Sequence, residues 1–504
     1  MRHEKRSTLF DGKFITKKER RANTMQTFKK YPLSPLIIQA LERLGYEQPT
    51  SVQARVLDTF WNAQDLIVQS QTGSGKTMAF ALPLCEAVDW EKRYPQALVL
   101  TPTRELALQI QEVFFKVGRF KRIKAVGLYG KAPFVVQQKE LKQKTHVVVA
   151  TPGRLLEHLE KGTIQTEDIR YLVIDEADEM LKMGFMEDVK RIVEALPQHQ
   201  TLLFSATLPK DIQNFGQTLM KSATVIQITP QKVTSHQVET KSYLVDEAEK
   251  MQALIRLTQV ENPECCMIFC NRKVGVEQVY AALKEAGYAC AMLHGGMEQR
   301  DRFKVMADFK KGYYRYLVCT DVAARGIDVK HVTYVVSFDV PEDKEQYVHR
   351  MGRTGRGKQT GKAAMLMTKE EQCFVEAIER YIGEPLVEAL LPNEEALQEV
   401  QEAFKEKMAR PMEVSTAKAE AIHQDILKLH INAGKKTKMR PVDIVGTLCN
   451  LKGMSAADIG IIQIQDISTY VEILNGKGEW VYKQLQKTPI KGRMRRVSKV
   501  ERRD

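Results

Sequence analysis

Cysteine, aromatic residues and long apolar runs are all scarce in this sequence. It contains 8 cysteines among 504 residues, none of them in a Cys-x-x-Cys pair, and 7% aromatic residues. So little cysteine excludes a disulfide scaffold, and no apolar run reaches the roughly 18 residues of a transmembrane helix. The first 30 residues lack the apolar centre of a secretory signal. These features predict a reduced, cytoplasmic protein with buried thiols rather than a zinc site.

The charge of the chain lies at its two ends. The net charge is +13, and residues 1–30 sum to +7, residues 404–504 to +9 and residues 31–403 to −3. A basic end is usually a solvated tail, so charge alone leaves a tail and a nucleic-acid surface as equal alternatives. Residues 1–24 fit no motif, and we predict a basic extension over residues 1–27 without an assigned role.

Short apolar runs alternate with helical segments through most of the chain, in two series. The first extends from Leu66-Ile-Val to Leu202-Leu-Phe, and the second from Met267-Ile-Phe to Ala363-Ala-Met-Leu-Met. Apolar strands separated by helices indicate parallel sheets covered on both faces, so the fold class is α/β. The predicted segments are a first domain (28–228), a linker (229–236), a second domain (237–392), a polar helical linker (393–433) and a basic α+β module (434–504).

A glycine-rich loop follows the first predicted strand and leads into a helix. Its glycines let backbone N–H groups face phosphate oxygens, and the helix start adds its positive end. Lys76 would reach the β- and γ-phosphates, and the Thr77 hydroxyl would hold Mg²⁺. A chance glycine-rich turn is the alternative. The predicted ATP-binding residues of this loop are Ser70, Gln71, Thr72, Gly73, Ser74, Gly75, Lys76 and Thr77.

An acidic cluster follows another apolar strand, where Tyr171-Leu-Val-Ile runs into Asp175-Glu-Ala-Asp178. Such a position is the carboxyl edge of a sheet, where open α/β sheets bind ligands. Asp175 suits a Mg²⁺ contact, in part through water, and Glu176 is placed to orient or deprotonate an attacking water. A solvated acidic turn is the alternative.

Together these motifs resemble those of DEAD-box RNA helicases, over residues 28 to about 390. The family has two RecA-like domains in tandem. The resemblance implies that Gln53 pairs with adenine, with Phe28 or Tyr46 packing nearby. It assigns coupling of hydrolysis to strand separation to Asp178, Ser205, Thr207 and His349. It implies RNA contacts by Pro102, Arg104, Thr151, Gly153, Arg154, Gln299, Arg302 and Thr320.

The arginine-rich segment from His349 to Arg356 resembles the family motif that carries the arginine fingers. The resemblance assigns that role to Arg353 and Arg356, and a nucleotide contact to Asp328. The implied catalytic residues are therefore Lys76, Asp175, Glu176, Arg353 and Arg356. This sequence differs from the family pattern at Ser70, where Ala is usual, and at Gly130-Lys131, where Gly-Gly is common.

The resemblance implies RNA-stimulated ATP hydrolysis with local duplex unwinding. ATP and Mg²⁺ are the expected cofactors, and RNA is the expected partner of a monomer that needs no membrane. Because the loop and acids lie in one domain and the arginines in the other, closure of the two would switch on catalysis. The alternatives are a DNA helicase of the same superfamily and an ATP-gated RNA clamp with negligible unwinding.

The basic module reads strand, helix, strand, strand, helix, strand, which suits an RNA-recognition-like fold. It is similar to the C-terminal domain of bacterial DbpA-type helicases. The resemblance implies binding to a hairpin of 23S ribosomal RNA and a role on the pre-50S particle. A basic protein-docking domain is the alternative. The candidate RNA-binding residues are Lys435, Lys436, Lys438, Arg440, Tyr470, Lys491 and Arg493.

Overall fold

The computed structural model describes residues 27–71, 73–220, 222–228, 238–324, 329, 331–355, 360–410 and 426–500. The chain forms two compact units. One contains the described residues up to Ile228 together with those of the C-terminal segment, and the other contains those from Val238 to Arg410. The predicted linker over 229–236 lies outside the described residues.

The first unit contains a parallel sheet with helices around it. Its strands are β1 (Leu66–Gln69), β2 (Ala97–Leu100), β3 (Ala125–Leu128), β4 (Val147–Ala150), β5 (Tyr171–Ile174), β6 (Gln200–Ser205) and β7 (Thr224–Gln227). Its helices are α1 (Pro35–Leu44), α2 (Ser51–Thr59), α3 (Lys76–Ala87), α4 (Arg104–Gly118), α5 (Phe134–Leu141), α6 (Pro152–Glu160), α7 (Ala177–Lys182), α8 (Met186–Glu194) and α9 (Lys210–Leu219). The strand order is β3-β4-β2-β5-β6-β1-β7.

The sequence explains why these strands lie in the centre of the domain. β2 and β4 are apolar throughout and buried at every position, as expected for strands covered on both faces. The neighbouring helix α4 begins at a proper cap, since the Thr103 hydroxyl accepts from the Leu106 backbone N–H at 3.3 Å. Ile110 and Phe114 then repeat at helical spacing on its buried face.

The second unit repeats this architecture. Its strands are β8 (Val238–Leu244), β9 (Cys266–Phe269), β10 (Cys290–Leu293), β11 (Tyr316–Cys319), β12 (Tyr334–Ser337), β13 (Gly361–Met367) and β14 (Val387–Glu388). Its helices are α10 (Lys250–Glu261), α11 (Lys273–Glu285), α12 (Gln299–Lys310), α13 (Asp321–Ala324), α14 (Lys344–Met351), α15 (Gln372–Ile382) and α16 (Glu394–Ala409). The parallel strands follow the order β10-β11-β9-β12-β13-β8-β14.

The C-terminal module has an antiparallel sheet and two helices. Its elements are β15 (Leu427–Ile431), α17 (Pro441–Cys449), β16 (Ile459–Ile464), β17 (Thr469–Ile473), α18 (Gly478–Leu485) and β18 (Val497–Lys499). The strand order is β16-β17-β15-β18, the arrangement of a split β-α-β fold. The predicted fold class, two RecA-like parallel-sheet domains and a small α+β module, is therefore confirmed.

Two predicted boundaries near the C-terminus need correction. The module begins at β15, upstream of residue 434, because the alternating apolar residues Leu427, Leu429 and Ile431 belong to its sheet. The polar helix before it, α16, is not a free linker. Its Phe404 is 4% exposed in the core of the second unit, where its ring lies 5.0 Å from that of Tyr288.

The cysteines of the chain are unpaired, and its helices are short or polar. All eight cysteines are free thiols, and six of them are buried. Burial raises the pKa of Cys265 to about 12, so this thiol stays protonated at neutral pH. Among the described residues, every helix is too short or too polar to cross a membrane.

Candidate functional site

The predicted phosphate loop lies between β1 and α3, as the sequence indicates. Lys76 is 7% exposed, and its ammonium group donates to the Ser70 carbonyl at 3.0 Å. The Ser70 hydroxyl donates to that of Ser74 at 2.6 Å, which draws the loop into a closed curl. Thr77 follows in the first turn of α3. Thr72 lies outside the described residues.

The predicted adenine-binding segment holds this loop in place. Thr50 and Gln53 form a capping box at the start of α2, in which the Gln53 side-chain oxygen accepts from the Thr50 N–H at 3.0 Å. The Thr50 hydroxyl donates to the Ser74 carbonyl at 2.9 Å, and Gln53 Nε2 donates to the Gly75 carbonyl at 3.3 Å. Gly75 has φ +93°, and a Cβ there would lie 2.5 Å from Gln53 Nε2. Glycine is therefore required where the two segments meet.

These bonds use only part of the Gln53 amide, which offers two donor hydrogens and two acceptor lone pairs. A second hydrogen and a second lone pair therefore remain for the two-point adenine contact that the sequence predicts. The two candidate aromatic residues differ in accessibility. Phe28 is 3% exposed and packs in the domain core, whereas Tyr46 is 37% exposed.

The acidic cluster lies at the end of β5. Asp175 is 2% exposed, and one of its carboxylate oxygens accepts from the Glu176 N–H at 3.1 Å. Glu176 has φ +53°, a left-handed conformation that non-glycine residues adopt at a cost of about 1–2 kcal/mol. Strained residues of this kind cluster at functional sites.

The acidic cluster has the chemistry of a Mg²⁺-nucleotide site. Burial and the neighbouring Glu176 carboxylate raise the pKa of Asp175 to about 7, and the Lys76 ammonium only partly opposes them. A nearby cation would offset both effects. Within the described ranges no three His, Cys, Asp or Glu side chains form a metal-binding group. The Asp175 carboxylate suits Mg²⁺, because this ion commonly keeps several waters and binds one or two carboxylates plus substrate phosphates.

Three of the four residues predicted to couple hydrolysis to strand separation meet within the first domain. Asp178, in the first turn of α7, accepts from both the backbone N–H and the hydroxyl of Thr207, at 2.9 and 3.0 Å. The Asp178 N–H in turn donates to the Ser205 hydroxyl at 3.2 Å. The acidic cluster and the segment after β6 are thus joined by three hydrogen bonds. His349, the fourth predicted coupling residue, lies on α14 of the second unit.

The predicted RNA contacts of the first domain lie after β2 and β4, on the same sheet edge. Pro102 precedes α4, Arg104 begins it, and Thr151 to Arg154 open α6. A Cβ on Gly130 would lie 3.6 Å from Arg104 Nη2, so the loop after β3 joins this group. The next residue, Lys131, has φ +57°, a conformation that suits the glycine usual in the family.

In the second unit, a buried arginine that we did not single out from the sequence organises the predicted motifs. Arg350 is 0% exposed and binds Asp321 through two hydrogen bonds of 2.7 and 2.8 Å. It also donates to the Asn271 side chain at 2.7 Å and to the Asp339 carbonyl at 2.6 Å. The available signal was its spacing, because Arg350 lies three residues after the buried Tyr347 on α14 and so faces the interior.

The other predicted residues of the second unit lie on α12, after β11 and after α14. Arg353 is 9% exposed, and its N–H donates to the Arg350 carbonyl at 3.0 Å. Thr320 immediately precedes Asp321 after β11, while Gln299 and Arg302 lie in the first turn of α12. Asp328 and Arg356 lie outside the described residues.

The candidate residues of the module fall into two groups. Tyr470 on β17 pairs with His430 on β15, with ring centroids 5.1 Å apart, and Lys428 Nζ lies 5.5 Å from the Tyr470 ring. His430 and Lys428 were missed because they precede the predicted start of the module. The second group is basic: Lys435, Lys436, Lys438 and Arg440 follow β15, and Lys491 and Arg493 precede β18. Lys491 bridges this group to Asp443 through a 3.0 Å ion pair.

Three known protein families match this chain, each over a different region. Residues 50–215 match the DEAD/DEAH box helicase family, residues 249–358 the helicase conserved C-terminal domain, and residues 428–499 the DbpA RNA binding domain.

Individual proteins support the same assignment. The chain is 48% identical over 479 residues to the ATP-dependent RNA helicase DbpA of Bacillus subtilis (strain 168). The matched residues make up 95% of this chain and 100% of that protein. It is 39% identical to a DEAD-box ATP-dependent RNA helicase, CshA of Bacillus cereus (strain ATCC 10987 / NRS 248), over 77% of this chain and 74% of that protein. Among solved structures, S. cerevisiae Dbp5 bound to RNA and ADP BeF3 matches with a TM-score of 0.68 and 29% identity, over 76% of this chain and 99% of that one.

These matches agree with the fold. The predicted phosphate loop and the acidic cluster lie within residues 50–215, and the basic module contains residues 428–499 in its sheet and helices. The relative of 48% identity is matched along its whole length, so the likeness includes the module as well as the two larger domains. The chain is thus a member of the DEAD-box ATP-dependent RNA helicases, ATPases by reaction, and of their branch that carries a DbpA RNA-binding domain.

Proposed function

We propose that the chain opens short RNA duplexes at the expense of ATP, and that its C-terminal module directs this activity to a hairpin of 23S ribosomal RNA in pre-50S particles. The observation that carries the first part is a series of hydrogen bonds that starts at the phosphate loop. The Ser70 N–H donates to the Ser205 carbonyl at 3.0 Å, and Ser205 is linked through Asp178 to Thr207. The second part is supported by the match of residues 428–499 to the DbpA RNA binding domain.

In this proposal ATP is held by the first domain. Backbone N–H groups of the loop and Lys76 bind the phosphates, and the free half of the Gln53 amide selects adenine. Thr77 and Asp175 would hold Mg²⁺, which neutralises charge on the phosphate oxygens when bound. Glu176 orients the attacking water and accepts its proton. Arg353 and Arg356 of the second domain stabilise charge on the transferred phosphoryl group.

The proposed contacts of the two larger domains with RNA are made to the RNA backbone. The sheet edge that carries Arg104 and Arg154 offers cationic and backbone groups, which recognise phosphates without reading bases. The core is therefore expected to bind RNA with little sequence preference and with an affinity that falls steeply as salt rises.

Duplex unwinding with a matched catalytic variant tests the first part. The full chain should separate a short RNA duplex only with ATP and Mg²⁺. Glu176→Gln should abolish turnover and unwinding while leaving ATP-dependent RNA binding intact. ATP-dependent RNA retention by the unaltered chain without any unwinding would favour the RNA-clamp alternative instead.

The role of the module is tested by removing it at a position that the structure makes safe. Because Phe404 packs in the second unit, the truncated chain should end at residue 410, after α16. Its affinity for a 23S ribosomal RNA hairpin should fall to that for an unrelated hairpin, while ATP hydrolysis with generic RNA persists. A truncated chain that keeps the ribosomal preference would favour the protein-docking alternative for the module.

A further inference from the structure

One buried side chain of the first domain lies between the loop after β3 and the start of α6. Gln137, on α5, is 4% exposed. Its Nε2 donates to the Tyr129 carbonyl at 3.0 Å, and its Oε1 accepts from Arg154 Nη1 at 3.0 Å. Arg154 Nη1 also donates to the Ala132 carbonyl at 3.1 Å. A single amide and a single guanidinium therefore hold both ends of loop 129–132.

The partners of Gln137 fix the orientation of its amide. Its oxygen accepts from Arg154 and its amino group donates to a carbonyl, which permits only one orientation. The His158 imidazole lies beside this amide, with Nε2 3.3 Å from Gln137 Oε1 and Nδ1 2.7 Å from the Thr163 hydroxyl. The imidazole is fully buried and stacks on Phe134 with a centroid distance of 4.2 Å.

The same contacts determine which part of Arg154 is available to a ligand. Its Nε makes an ion pair with Glu157 at 3.1 Å, and its side chain is 11% exposed. Within the described part of the chain, both Nη1 hydrogens are thus used in hydrogen bonds and Nε faces the Glu157 carboxylate. The Nη2 amino group is the part of the guanidinium that can meet a phosphate oxygen. A side chain held in this way loses little conformational entropy when it binds.

We infer that Gln137 is a positioning residue for RNA: it fixes Arg154 and loop 129–132 in one arrangement, so that both meet the RNA backbone without reordering. The inference rests on the proposed RNA contact of Arg154. Gln137 itself touches neither RNA nor nucleotide and acts through Arg154.

The test is a double-mutant cycle on RNA-stimulated ATP hydrolysis by the full chain, with a homopolymeric single-stranded RNA as the probe. Gln137→Met keeps the size of the side chain and removes both hydrogen-bonding groups. We expect it to raise the RNA concentration for half-maximal activity about tenfold, as for lost bonds to a charged group. The kcat at saturating RNA should change less than twofold. Gln138→Met, at the neighbouring position on α5, is the matched control.

The second arm places Gln137→Met in an Arg154→Ala background. If Gln137 acts through Arg154, the substitution has no further effect on half-maximal RNA concentration there. Equal effects of Gln137→Met in both backgrounds, or a loss confined to kcat, would overturn the inference. Should Gln137→Met fail to fold, His158→Phe keeps a ring against Phe134 and removes the imidazole contacts to Gln137 and Thr163. It should act in the same direction by about threefold.

The two levels of the proposal fail in different ways. If Arg154→Ala leaves the RNA dependence unchanged, the proposed RNA contact of Arg154 is wrong and the inference falls with it. If Arg154→Ala weakens the RNA dependence but Gln137→Met behaves like the Gln138→Met control, only the inference about Gln137 is wrong.

Discussion

Arg350 and Asp321 form a two-point ion pair inside the second unit. Nε and Nη2 of the arginine meet the two carboxylate oxygens at 2.8 and 2.7 Å, and the arginine side chain is fully buried. The pair joins the segment after β11 to the arginine-rich motif on α14. Because the Arg353 backbone donates to the Arg350 carbonyl, this pair also supports the position of a proposed arginine finger.

Removing this pair is predicted to destabilise the second unit. Arg350→Met leaves Asp321, whose side chain is 14% exposed, without its partner, at a cost of about 3 kcal/mol, the lower end of the range for a buried pair. Arg350→Lys keeps the charge but cannot make the two-point contact, so an intermediate loss is expected. Thermal unfolding of each variant measures the effect. Arg380→Met, at an exposed position on α15, is the control, and an Arg350→Met melting temperature equal to that control would contradict the prediction.

Thr50 is predicted to affect ATP binding although it need not touch ATP. Thr50→Val removes the hydroxyl that holds the Ser74 carbonyl and breaks the capping box of α2. A loosened phosphate loop should raise KM for ATP about five- to tenfold, in line with the roughly 1 kcal/mol value of such a cap. ATP titration of the RNA-stimulated ATPase checks this. Thr59→Val, at the other end of α2, should leave KM unchanged, and a similar rise in both variants would show a general effect on the helix.

The Thr207 hydroxyl is predicted to connect hydrolysis with duplex opening. Thr207→Val removes one of the two bonds to Asp178 and keeps the bond from the backbone N–H. We expect ATP hydrolysis to fall less than threefold and unwinding to fall at least tenfold, since one hydrogen bond to a charged group is lost. Parallel ATPase and unwinding assays with the same RNA provide the comparison. Equal losses in the two assays would mean that Thr207 serves catalysis rather than coupling.

His146 is predicted to make the first domain sensitive to acid. Burial lowers its pKa from 6.5 to about 4, and Nδ1 accepts from the Lys124 N–H while Nε2 donates to the Trp90 carbonyl. The unfolded chain therefore binds more protons than the folded one between these values. Stability is full above pH 6.5 and decreases as pH falls toward 4, by on the order of 1–2 kcal/mol at pH 5.

Urea unfolding of the full chain at pH 7 and pH 5 measures this loss. His146→Gln retains an acceptor and a donor but does not titrate, so its unfolding midpoint should change less between the two pH values. An identical pH dependence in the variant and the unaltered chain would exclude His146 as the source.

Residues whose proposed chemistry requires one residue type at one spacing could be predicted from the sequence. Residues that hold those side chains in position were found only in the structure. Lys76, Asp175 and Thr207 could be predicted because the phosphate, metal and coupling roles proposed for them restrict the residue type. Arg350 and Gln137 escaped notice because their partners are distant in sequence and meet only in the folded chain.

Two strands were not predicted because their sequences lack the pattern of a buried parallel strand. β3 contains a glycine within a short run, Ala-Val-Gly-Leu, and β8 has four consecutive polar residues after Val238. Neither resembles the continuous apolar run of a buried parallel strand. In β15 polar and apolar residues alternate, Leu-Lys-Leu-His-Ile, so this strand was also missed and the module was predicted to begin too late. Thr50-Ser-Val-Gln53 also forms a capping box at the start of α2, a role that we did not predict from the sequence.

The central claim is that a general RNA-dependent ATPase is directed to ribosomal RNA by its C-terminal module. The most direct measurement is the RNA concentration for half-maximal ATPase activity of the full chain, with 23S ribosomal RNA and with an unrelated RNA of equal length. We expect the RNA concentration for half-maximal activity to be at least about tenfold lower with 23S ribosomal RNA, which corresponds to roughly 1.4 kcal/mol of added affinity. Equal values for the two RNAs would contradict it.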